Sequence, residues 1–445
     1  MEKGYLERPV MSKINRQYDS RTATSIVIAN MIGTGVFTSL GFQLLDIQSA
    51  PVILFLWLLG GLAALCGALC YSELSVALPK SGGEYNFISS IYHPGLGFVS
   101  GWLSATIGFA APTALVAITS GTYLQAIYPW IAVKPFAIGL VVVISLFHLF
   151  SRRSSGNFQV FFTGAKVLLI CFFIVGALFV SEQFQDIRWI PNESDLLLVG
   201  NGSFAIALIY VSYAYTGWNA ATYLAGEIKH VQTDMPKILV RGTLVVTLLY
   251  ILLHLVFLLV APMSEMQGKL EVGYVAASYA FGAEAGRWFS LMLSVLLIST
   301  ASAMIVSGPR TLQRIGQDFA LLSFLSKENA VGIPQSAILF QLALTSILIV
   351  SSSFEAILMF SGFALGLNTL MTVLGVWYLR SRHPLIQRPF QVPWYPLPMI
   401  IFVGLMLWTL IYVVIERPVE GLLALALVIV GWCFYLVSQR WQIQE

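Results

Sequence analysis

The sequence predicts an all-α integral membrane protein with about twelve transmembrane helices, and two observations carry that prediction. Of the 445 residues, 58% are hydrophobic and only 10% are charged, whereas an ordinary soluble domain is about 25% charged. Apolar stretches of roughly 18 residues or more recur along the whole chain, which is the length that a helix needs to cross a bilayer. Because these stretches are continuously apolar rather than alternating, they exclude a transmembrane β-barrel.

The apolar stretches define predicted spans 1 to 12 in chain order. They cover residues 23–45, 52–78, 97–127, 136–150, 158–180, 204–228, 238–260, 287–315, 335–350, 354–379, 398–415 and 419–437. The segment 271–281 is too short to cross a bilayer, so it predicts a loop helix over one membrane face. Residues 1–20 are polar and charged, without the apolar core of a cleavable signal peptide, and are predicted to form an N-terminal cytoplasmic segment.

The distribution of lysine and arginine predicts the orientation of the chain. If the N-terminus lies inside the cell, roughly 18 of the 24 basic residues fall in cytoplasmic segments. Such an excess is typical of cytoplasmic loops. We therefore expect an even number of spans, both termini in the cytoplasm, and a multi-pass location in the plasma (inner) membrane.

The cysteines are predicted to be small buried hydrophobes. Cys66, Cys70, Cys171 and Cys433 all lie within apolar stretches. No histidine or acidic residue accompanies them at the spacing of a metal site. We therefore expect neither a metal nor another cofactor.

Span 1 is interrupted by a Gly-Thr-Gly sequence near the middle of the membrane. Gly33 and Gly35 each disfavour a helix by about 1 kcal/mol relative to alanine. In lipid, irregular backbone survives only where it is buried in protein or lines a cavity. The alternative interpretation of the two glycines is a close helix–helix contact through small residues.

Span 6 carries a second interruption, because residues 213–219 read YAYTGWN with Gly217 among polar and aromatic residues. Gly35 and Gly217 lie at corresponding depths and are separated by five spans, so the second half enters the membrane from the opposite side. Paired breaks of this kind are typical of inverted repeats whose broken helices meet at the bilayer midplane. The predicted repeats cover residues 21–180 and 200–380, and two peripheral helices cover residues 396–440.

Two broken helices offer complementary partners for a zwitterion. The free N–H groups at the positive end of one half-helix favour a carboxylate, and the free carbonyls at the other break favour an ammonium. An amino acid carries both groups one carbon apart. Since spans 1 and 6 have no acidic or basic side chain at this depth, we expect a neutral L-amino acid as the substrate.

Three motifs, IGTGVF in span 1, FTGAK in span 5 and YAYTGWN in span 6, resemble the amino acid–polyamine–organocation (APC) superfamily. The chain is most similar to the L-type amino acid transporter branch, which carries Gly-Ser-Gly-Ile-Phe and Phe-Ala-Tyr-Gly-Gly-Trp-Asn at the two breaks. The resemblance extends over about residues 21–379. It implies the five-plus-five inverted-repeat fold of that superfamily and secondary active transport by alternating access.

The resemblance also implies which residues bind the substrate. Gly33, Thr34 and Gly35 would bind the carboxylate at the span 1 break, and Met31 would offer a carbonyl there. Those that would receive the amino group at the span 6 break are Tyr213, Ala214 and Thr216, through their carbonyls, next to Gly217. Thr34 replaces the usual serine of the family, and Tyr213 replaces the phenylalanine that is usual as an aromatic gate.

Lys166 is the one basic residue deep in a span. It lies about eight residues into span 5, roughly 12 Å of helical rise from the start, where a lysine normally faces a cavity or a partner. Snorkelling toward the headgroups is the alternative. The resemblance implies that Lys166 replaces the cation of sodium-coupled relatives and touches spans 1 and 8. Ser299, Thr300 and Ser302 of span 8 are the hydroxyls expected to face it, with hydrogen bonds to the backbone of their own helix as the alternative. A permanent charge favours sodium-independent exchange, whereas a lysine that releases its proton would permit proton-coupled symport.

The other ionisable residues receive structural interpretations. His148 and His254 are predicted to be packed rather than to relay protons. Glu73 and Glu227, near cytoplasmic ends of spans, are predicted to pair with basic residues, with a gate as the alternative role. Asn219 is predicted to bind backbone freed by the break.

The sequence favours a transporter over an enzyme or a channel. It contains no intramembrane cluster of histidine and acidic residues and no phosphate-binding loop, and it lacks the rings of like residues that line pores. The expected partners are a small amino acid and the lipid bilayer, without nucleic acid; no obligate protein partner is evident.

Overall fold

The structure is a computed structural model that describes residues 18–150, 156–329 and 332–442. The first half contains α1 (Ser20–Met31), α2 (Gly35–Asp46), α3 (Ala50–Ala77), α4 (Gly83–Ile91), α5 (Pro94–Leu103), α6 (Ala110–Ile127), α7 (Val133–Phe150), α8 (Gly156–Val180) and α9 (Glu193–Val199). The second half contains α10 (Gly202–Tyr215), α11 (Val231–Val260), α12 (Met263–Met266), α13 (Val272–Phe281), α14 (Ala283–Asp318), α15 (Gln335–Ser351), α16 (Phe354–Arg382), α17 (Leu397–Glu416) and α18 (Pro418–Gln442). A π turn and two 3-10 segments cover Ser104–Gly108, Ala220–Glu227 and Ala320–Ser326.

The predicted all-α membrane fold is confirmed. In the described part of the chain, 10 helices are long and apolar enough to cross a membrane, and the bent pair Glu193–Val199 and Gly202–Glu227 makes up to 11. Predicted span 9 corresponds to α15, an apolar helix of 17 residues, so the number twelve stays a prediction. The predicted loop helix at 271–281 is α13. Of the predicted segment 1–20, residues 1–17 lie outside the described residues.

Local sequence explains where several helices begin. The Asp19 side chain accepts a hydrogen bond from the Thr22 N–H at 2.9 Å and caps α1, which satisfies one of the N–H groups that a helix start leaves unpaired. Proline occupies the first turn of α3 and of α5, where its missing N–H costs nothing. Gly82 and Gly83 both have positive φ angles, and they turn the chain between α3 and the short helix α4.

The two halves present their elements in the same order. Each begins with a broken helix, continues with a long helix (α3 or α11) and a short loop helix (α4 or α13), and then has three apolar segments: α5 with α6, α7 and α8 in the first half, and α14, α15 and α16 in the second. Counterparts pack on one another: α3 packs on α11, α6 on α14, α7 on α15 and α2 on α10. The two broken helices therefore lie at the interface of the halves.

The two short loop helices both pack on the elements that form this interface. Helix α4 packs on the 3-10 segment Ala220–Glu227 and on α16, whereas α13 packs on α2 and α14. Each loop helix thus contacts the distal half of a broken helix from the other half of the chain. Glu84 in α4, Lys166 in α8 and His254 in α11 are buried in the bundle, where polar groups need partners.

Candidate functional site

The interruption of span 1 lies between Met31, where α1 ends, and Gly35, where α2 begins. The Gly33 N–H donates back to the Met31 carbonyl at 2.8 Å, and the Phe37 N–H donates to the Thr34 carbonyl at 2.9 Å. The first N–H groups of a helix have no partner within that helix. The N-terminus of α2, which is the positive end of its dipole, therefore opens onto the break.

The interruption of span 6 follows Tyr215, where α10 ends. Residues 216–219 form a turn, and the span continues as the 3-10 segment Ala220–Glu227. Gly217 has a φ angle of 102°, which residues with a side chain rarely adopt. Glycine is thus required by the backbone of this turn.

The two breaks lie directly against each other. A Cβ atom added to Gly35 would lie 2.6 Å from the Ala214 Cα, and one added to Gly217 would lie 2.6 Å from the carbonyl carbon of Asn30. A Cβ on Gly33 would meet nothing closer than the Met31 oxygen at 4.0 Å. Gly35 and Gly217 therefore permit the close approach, while Gly33 faces open space.

Most of the carbonyls expected to receive an amino group already accept protein donors. The Tyr213 carbonyl accepts the Thr216 N–H at 3.0 Å and its hydroxyl at 2.7 Å. The Met31 carbonyl accepts the Tyr250 hydroxyl at 2.6 Å in addition to the N–H within the break. The Ala214 carbonyl lies 3.2 Å from the same hydroxyl. Since a carbonyl has two lone pairs, those of Tyr213 and Met31 are saturated and that of Ala214 is not.

Tyr250 on α11 links the two breaks, and the sequence analysis missed it. Its ring packs edge-on against Trp57 at 5.6 Å between centroids, and Trp57 stacks on His254 at 3.6 Å. The His254 Nδ1 lies 2.8 Å from the Tyr250 carbonyl, so His254 is packed, as expected. A tyrosine within an otherwise apolar span was the only signal of this contact in the sequence.

Lys166 on α8 reaches the span 1 break. Its side chain is 2% exposed. The Nζ donates to the Thr300 hydroxyl at 2.5 Å and to the Ile32 carbonyl at 3.4 Å. The ion pairs found among the described residues do not include Lys166. The ammonium therefore joins α14 to the broken helix through neutral oxygens.

The expected contacts of Lys166 with Ser299 and Ser302 need correction. The Ser299 hydroxyl donates to the Leu296 carbonyl of its own helix at 2.7 Å, and the Ser302 hydroxyl is paired with His148 Nε2 at 2.8 Å. Successive residues of a helix point about 100° apart, so residues 299, 300 and 302 cannot all face one lysine. Of the three hydroxyls, only that of residue 300 bonds the ammonium.

Comparison with known proteins identifies the family. The chain matches the family described as amino acid permease over residues 19–434. The chain belongs to the amino acid permease family. It is therefore a membrane transporter and not an enzyme, as the motifs at the two breaks indicated.

Curated relatives of the permease are amino acid transporters. The serine/threonine exchanger SteT of Bacillus subtilis (strain 168) is 28% identical, over 86% of this chain and 87% of that protein. The b(0,+)-type amino acid transporter 1 of Mus musculus is 24% identical, over 93% of this chain and 85% of that protein. The large neutral amino acids transporter small subunit 2 of Mus musculus is 27% identical, over 95% of this chain and 80% of that protein.

The permease also holds a buried carboxylate, that of Glu84, which the sequence analysis did not single out. Glu84 lies in the first turn of α4 and is 3% exposed. Its oxygens accept the Tyr71 hydroxyl at 2.5 Å, the Asn219 amide at 3.1 Å, the Thr369 hydroxyl at 3.2 Å and the Asn368 amide. Burial raises the pKa of this carboxyl, and the hydrogen bonds oppose that rise.

This contact corrects the expectation for Asn219, whose side-chain amide binds Glu84 rather than freed backbone. The signal in the sequence was a glutamate directly after the Gly82-Gly83 pair, between two apolar spans. Only the fold brings it to its partners on α3, α16 and the span 6 turn.

Glu73 forms the expected salt bridge, and its partner is Arg380. Its carboxylate pairs with the Arg380 guanidinium in a two-pronged contact at 2.8 and 2.6 Å and also accepts the Val392 N–H at 2.7 Å. Arg380 stacks over the Tyr395 ring at 3.8 Å. The pair ties α3 to α16 and to the loop that follows α16.

A small cleft of about 50 Å³ lies beside the span 6 break. Its lining includes Tyr213, Thr216, Gly362 and Thr369. Since a water molecule in the liquid takes up about 30 Å³, the cleft holds one or two waters and no amino acid.

Proposed function

We propose that this permease exchanges neutral L-amino acids across the cell membrane by alternating access and without sodium. The observation that carries the proposal is the Lys166 ammonium between the Thr300 hydroxyl and the Ile32 carbonyl. A fixed cation at this place makes the contacts to α14 and to the span 1 break that a bound cation would make. It also repels a second cation, because the interior screens charges poorly.

The N-terminus of α2 is proposed to bind the substrate carboxylate through backbone N–H groups at Gly33, Thr34 and Gly35. Free N–H groups and the helix dipole both favour an anion there. The open space beside Gly33 supports this assignment, since the substrate must approach the backbone closely.

The amino group is proposed to bind the carbonyls of Ala214 and Thr216, where Gly217 permits the turn. The Met31 and Tyr213 carbonyls each accept two protein donors. An ammonium therefore reaches the Met31 carbonyl only if it displaces the Tyr250 hydroxyl. Substrate binding would thus release the hydroxyl that links the two breaks.

The proposed substrates are neutral because the two breaks carry no acidic or basic side chain of their own. A charged side chain of the substrate would be buried without a partner, which is costly. The names of two relatives, a serine/threonine exchanger and a large neutral amino acids transporter, support the same substrate class. We propose that Tyr213 and residues 105–109, at the π turn, form the side-chain pocket.

The same proposal includes two inverted repeats at residues 21–180 and 200–380 and cytoplasmic termini. The equal order of elements and the packing of counterparts on one another support the repeats. The excess of basic residues in alternate loops supports the orientation.

Proton-coupled symport is the second candidate. It is favoured by the neutral surroundings of Lys166, whose bonding partners are two uncharged oxygens. An ammonium without a carboxylate partner can give up its proton without leaving a buried anion unpaired.

The test is uptake of labelled amino acids into proteoliposomes that contain the purified chain. Serine, alanine, leucine, glutamate and arginine are compared as competitors, with sodium or choline outside and with or without amino acid inside. Exchange predicts uptake that requires internal amino acid and is unchanged in choline. Uptake driven by a pH step into empty vesicles would instead support symport, and a strict sodium requirement would contradict both candidates.

The same experiment tests whether the chain acts alone. The name of one relative calls it a small subunit, and we propose that this permease needs no obligate protein partner. Saturable uptake by the chain as its only protein component is the expected result.

A further inference from the structure

The carboxylate of Glu84 is the most heavily hydrogen-bonded side chain near the candidate site, and the transport scheme above makes no use of it. Its four partners come from three other elements: Tyr71 from α3, Asn219 from the span 6 turn, and Asn368 and Thr369 from α16. All four partners are neutral, and the ion pairs of the described residues do not include Glu84. The carboxylate therefore depends entirely on this set of donors for its solvation.

Two of these donors adjoin the candidate substrate site. Asn219 lies in the turn at 216–219 that contains Gly217, so its backbone moves with the break. Thr369 lines the small cleft together with Tyr213 and Thr216. Any change of the span 6 break on substrate binding is thus transmitted directly to the acceptor on α4.

The backbone around Glu84 closes one side of the bundle. The Gly82 N–H donates to the Tyr223 carbonyl at 3.3 Å, and the Gly226 N–H donates to the Ser81 hydroxyl at 2.9 Å. Tyr18, before α1, pairs with the end of the same 3-10 segment through two backbone hydrogen bonds of 3.1 Å. The start of α4 and the residue before α1 thus hold the 3-10 segment from two directions. We name this contact region, residues 81–84 with 219–228, the N-side gate.

Opening the N-side gate separates α4 from the span 6 turn or from α16. In either case Glu84 loses donors, and an unpaired buried carboxylate is strongly unfavourable. The complete set of four hydrogen bonds therefore requires that α4 stays packed on both the span 6 turn and α16. Contacts made in one of two states shift the equilibrium toward that state.

We propose that Glu84 is a positioning residue of the transport cycle: its carboxylate latches the N-side gate shut and couples the gate to the span 6 break through Asn219. The inference rests on the proposed function, because it uses the break as the substrate site. Substrate-driven rearrangement of the turn at 216–219 withdraws the Asn219 donor and weakens the latch. The empty carrier without that rearrangement keeps the gate closed.

The gate is tested with a reporter cysteine at Ala225, which lies in the 3-10 segment and is 1% exposed. Full-length protein in proteoliposomes is labelled with a membrane-impermeant maleimide on the side of the gate. The chain without the reporter gives the background from its native cysteines. We expect Glu84→Gln to increase the labelling rate of Ala225→Cys by about tenfold or more, because the amide keeps the shape but turns one acceptor into a donor.

Two conservative variants test whether Glu84 acts as a hydrogen-bond acceptor or only fills space. Glu84→Asp keeps the carboxylate and loses volume, whereas Glu84→Gln keeps volume and loses the charge. If Glu84 acts as a latch, the labelling rate of Glu84→Asp should be closer to the parental rate than that of Glu84→Gln. The reverse order, or a parental labelling rate in Glu84→Gln, overturns the proposal.

The matched controls are Ser90→Ala, on the exposed face of the same helix, and Glu182→Gln, an exposed change of the same chemistry. Both are expected to leave labelling and exchange unchanged. If Glu84→Gln cannot be purified in folded form, Asn219→Ala removes one donor and is expected to increase labelling about threefold to tenfold. Parental labelling in Asn219→Ala then overturns the coupling.

Exchange kinetics provide a second readout. The latch predicts that Glu84→Gln lowers the exchange rate by about tenfold while equilibrium binding of the substrate to detergent-solubilised protein changes less. Labelling requires no substrate, so the labelling test of the gate is valid even if the chain fails to exchange amino acids. Absent uptake by the parent protein contradicts the proposed function, whereas normal uptake with unaltered labelling in Glu84→Gln contradicts only the latch.

Discussion

Gly35→Ala adds a single methyl group at the contact between the two breaks. The new Cβ would lie 2.6 Å from the Ala214 Cα and 3.2 Å from its nitrogen. Carbon atoms in contact normally lie about 3.5–4.0 Å apart, so the two helices must separate by about 1 Å. Overpacking of this kind costs about 1–3 kcal/mol.

The expected loss of transport follows from that displacement. At about 1.4 kcal/mol for each factor of ten, strain of this size corresponds to a decrease in the exchange rate of roughly fivefold to 150-fold. A misplacement of about 1 Å at a reacting site has a cost of similar size, near 100-fold. We therefore expect Gly35→Ala to reduce the rate of amino acid exchange in proteoliposomes by about 10-fold to 100-fold.

Two other glycines provide matched controls for the same substitution. Gly139→Ala on α7 has no atom within 4 Å of the new Cβ, and exchange should stay within about twofold of the parent. Gly33→Ala has room for its methyl group, whose nearest atom is 4.0 Å away, so thermal stability should be kept. Because that room is the proposed substrate space, KM should increase, and Gly33→Val should abolish binding.

The measurement is exchange of labelled substrate together with thermal unfolding of the purified proteins. Folded Gly35→Ala protein with parental exchange would refute the argument that the breaks must touch at Ala214. Equal KM values for Gly33→Ala and Gly139→Ala would refute the assignment of the carboxylate site.

Three further predictions concern single contacts. Lys166→Ala should lower the rate of exchange at least about tenfold, because it removes the donor to the Ile32 carbonyl. The parent protein should exchange amino acids at the same rate in sodium and in choline. Full activity of the variant would contradict the role of the ammonium. Tyr250→Phe leaves the Met31 carbonyl one donor short before substrate binds, at about 1–3 kcal/mol. Because the substrate ammonium then has no hydroxyl to displace, KM should fall roughly tenfold in a folded protein, and an unchanged KM would count against the link between the breaks. Glu73→Gln breaks the ion pair with Arg380, and the loss of stability should be below the about 3–5 kcal/mol of a fully buried pair because that arginine side chain stays 21% exposed; an unchanged unfolding temperature would show that the pair contributes nothing.

The fold class and both breaks could be predicted from the sequence because their signals are local. Long apolar runs specify spanning helices without reference to the rest of the chain. Gly35 and Gly217 stand out against such runs, since glycine is a poor helix former. The structure adds the reasons: Gly35 permits contact with Ala214, and Gly217 has a positive φ angle.

The partner of Lys166 could be predicted only to within one helical turn. The family resemblance indicated span 8, but the rotation of that helix decides whether Ser299, Thr300 or Ser302 faces the lysine. A change of one residue rotates the side chain by about 100°. Periodicity in a span that is apolar on all sides does not fix that rotation.

Glu84 and Tyr250 could not be predicted because their partners are distant in sequence. Asn219 is 135 positions from Glu84, and Thr369 is 285 positions from it. The Tyr250 hydroxyl reaches the Met31 carbonyl across 219 positions. Tertiary packing creates these contacts, so the local sequence shows an unusual polar residue at each position but not its partners.

The saturated carbonyls at the breaks follow from the cost of unpaired backbone in a membrane. An empty site cannot leave these oxygens without donors, so the protein supplies its own, from Thr216 to the Tyr213 carbonyl and from Tyr250 to the Met31 carbonyl. Substrate binding then exchanges one set of donors for another, and its free energy is a difference between two hydrogen-bonded states. A substrate ammonium brings three donors, whereas the Tyr250 hydroxyl has one proton for two carbonyls. That difference favours the amino group and frees Tyr250, so the contact between the breaks changes only when a substrate is present.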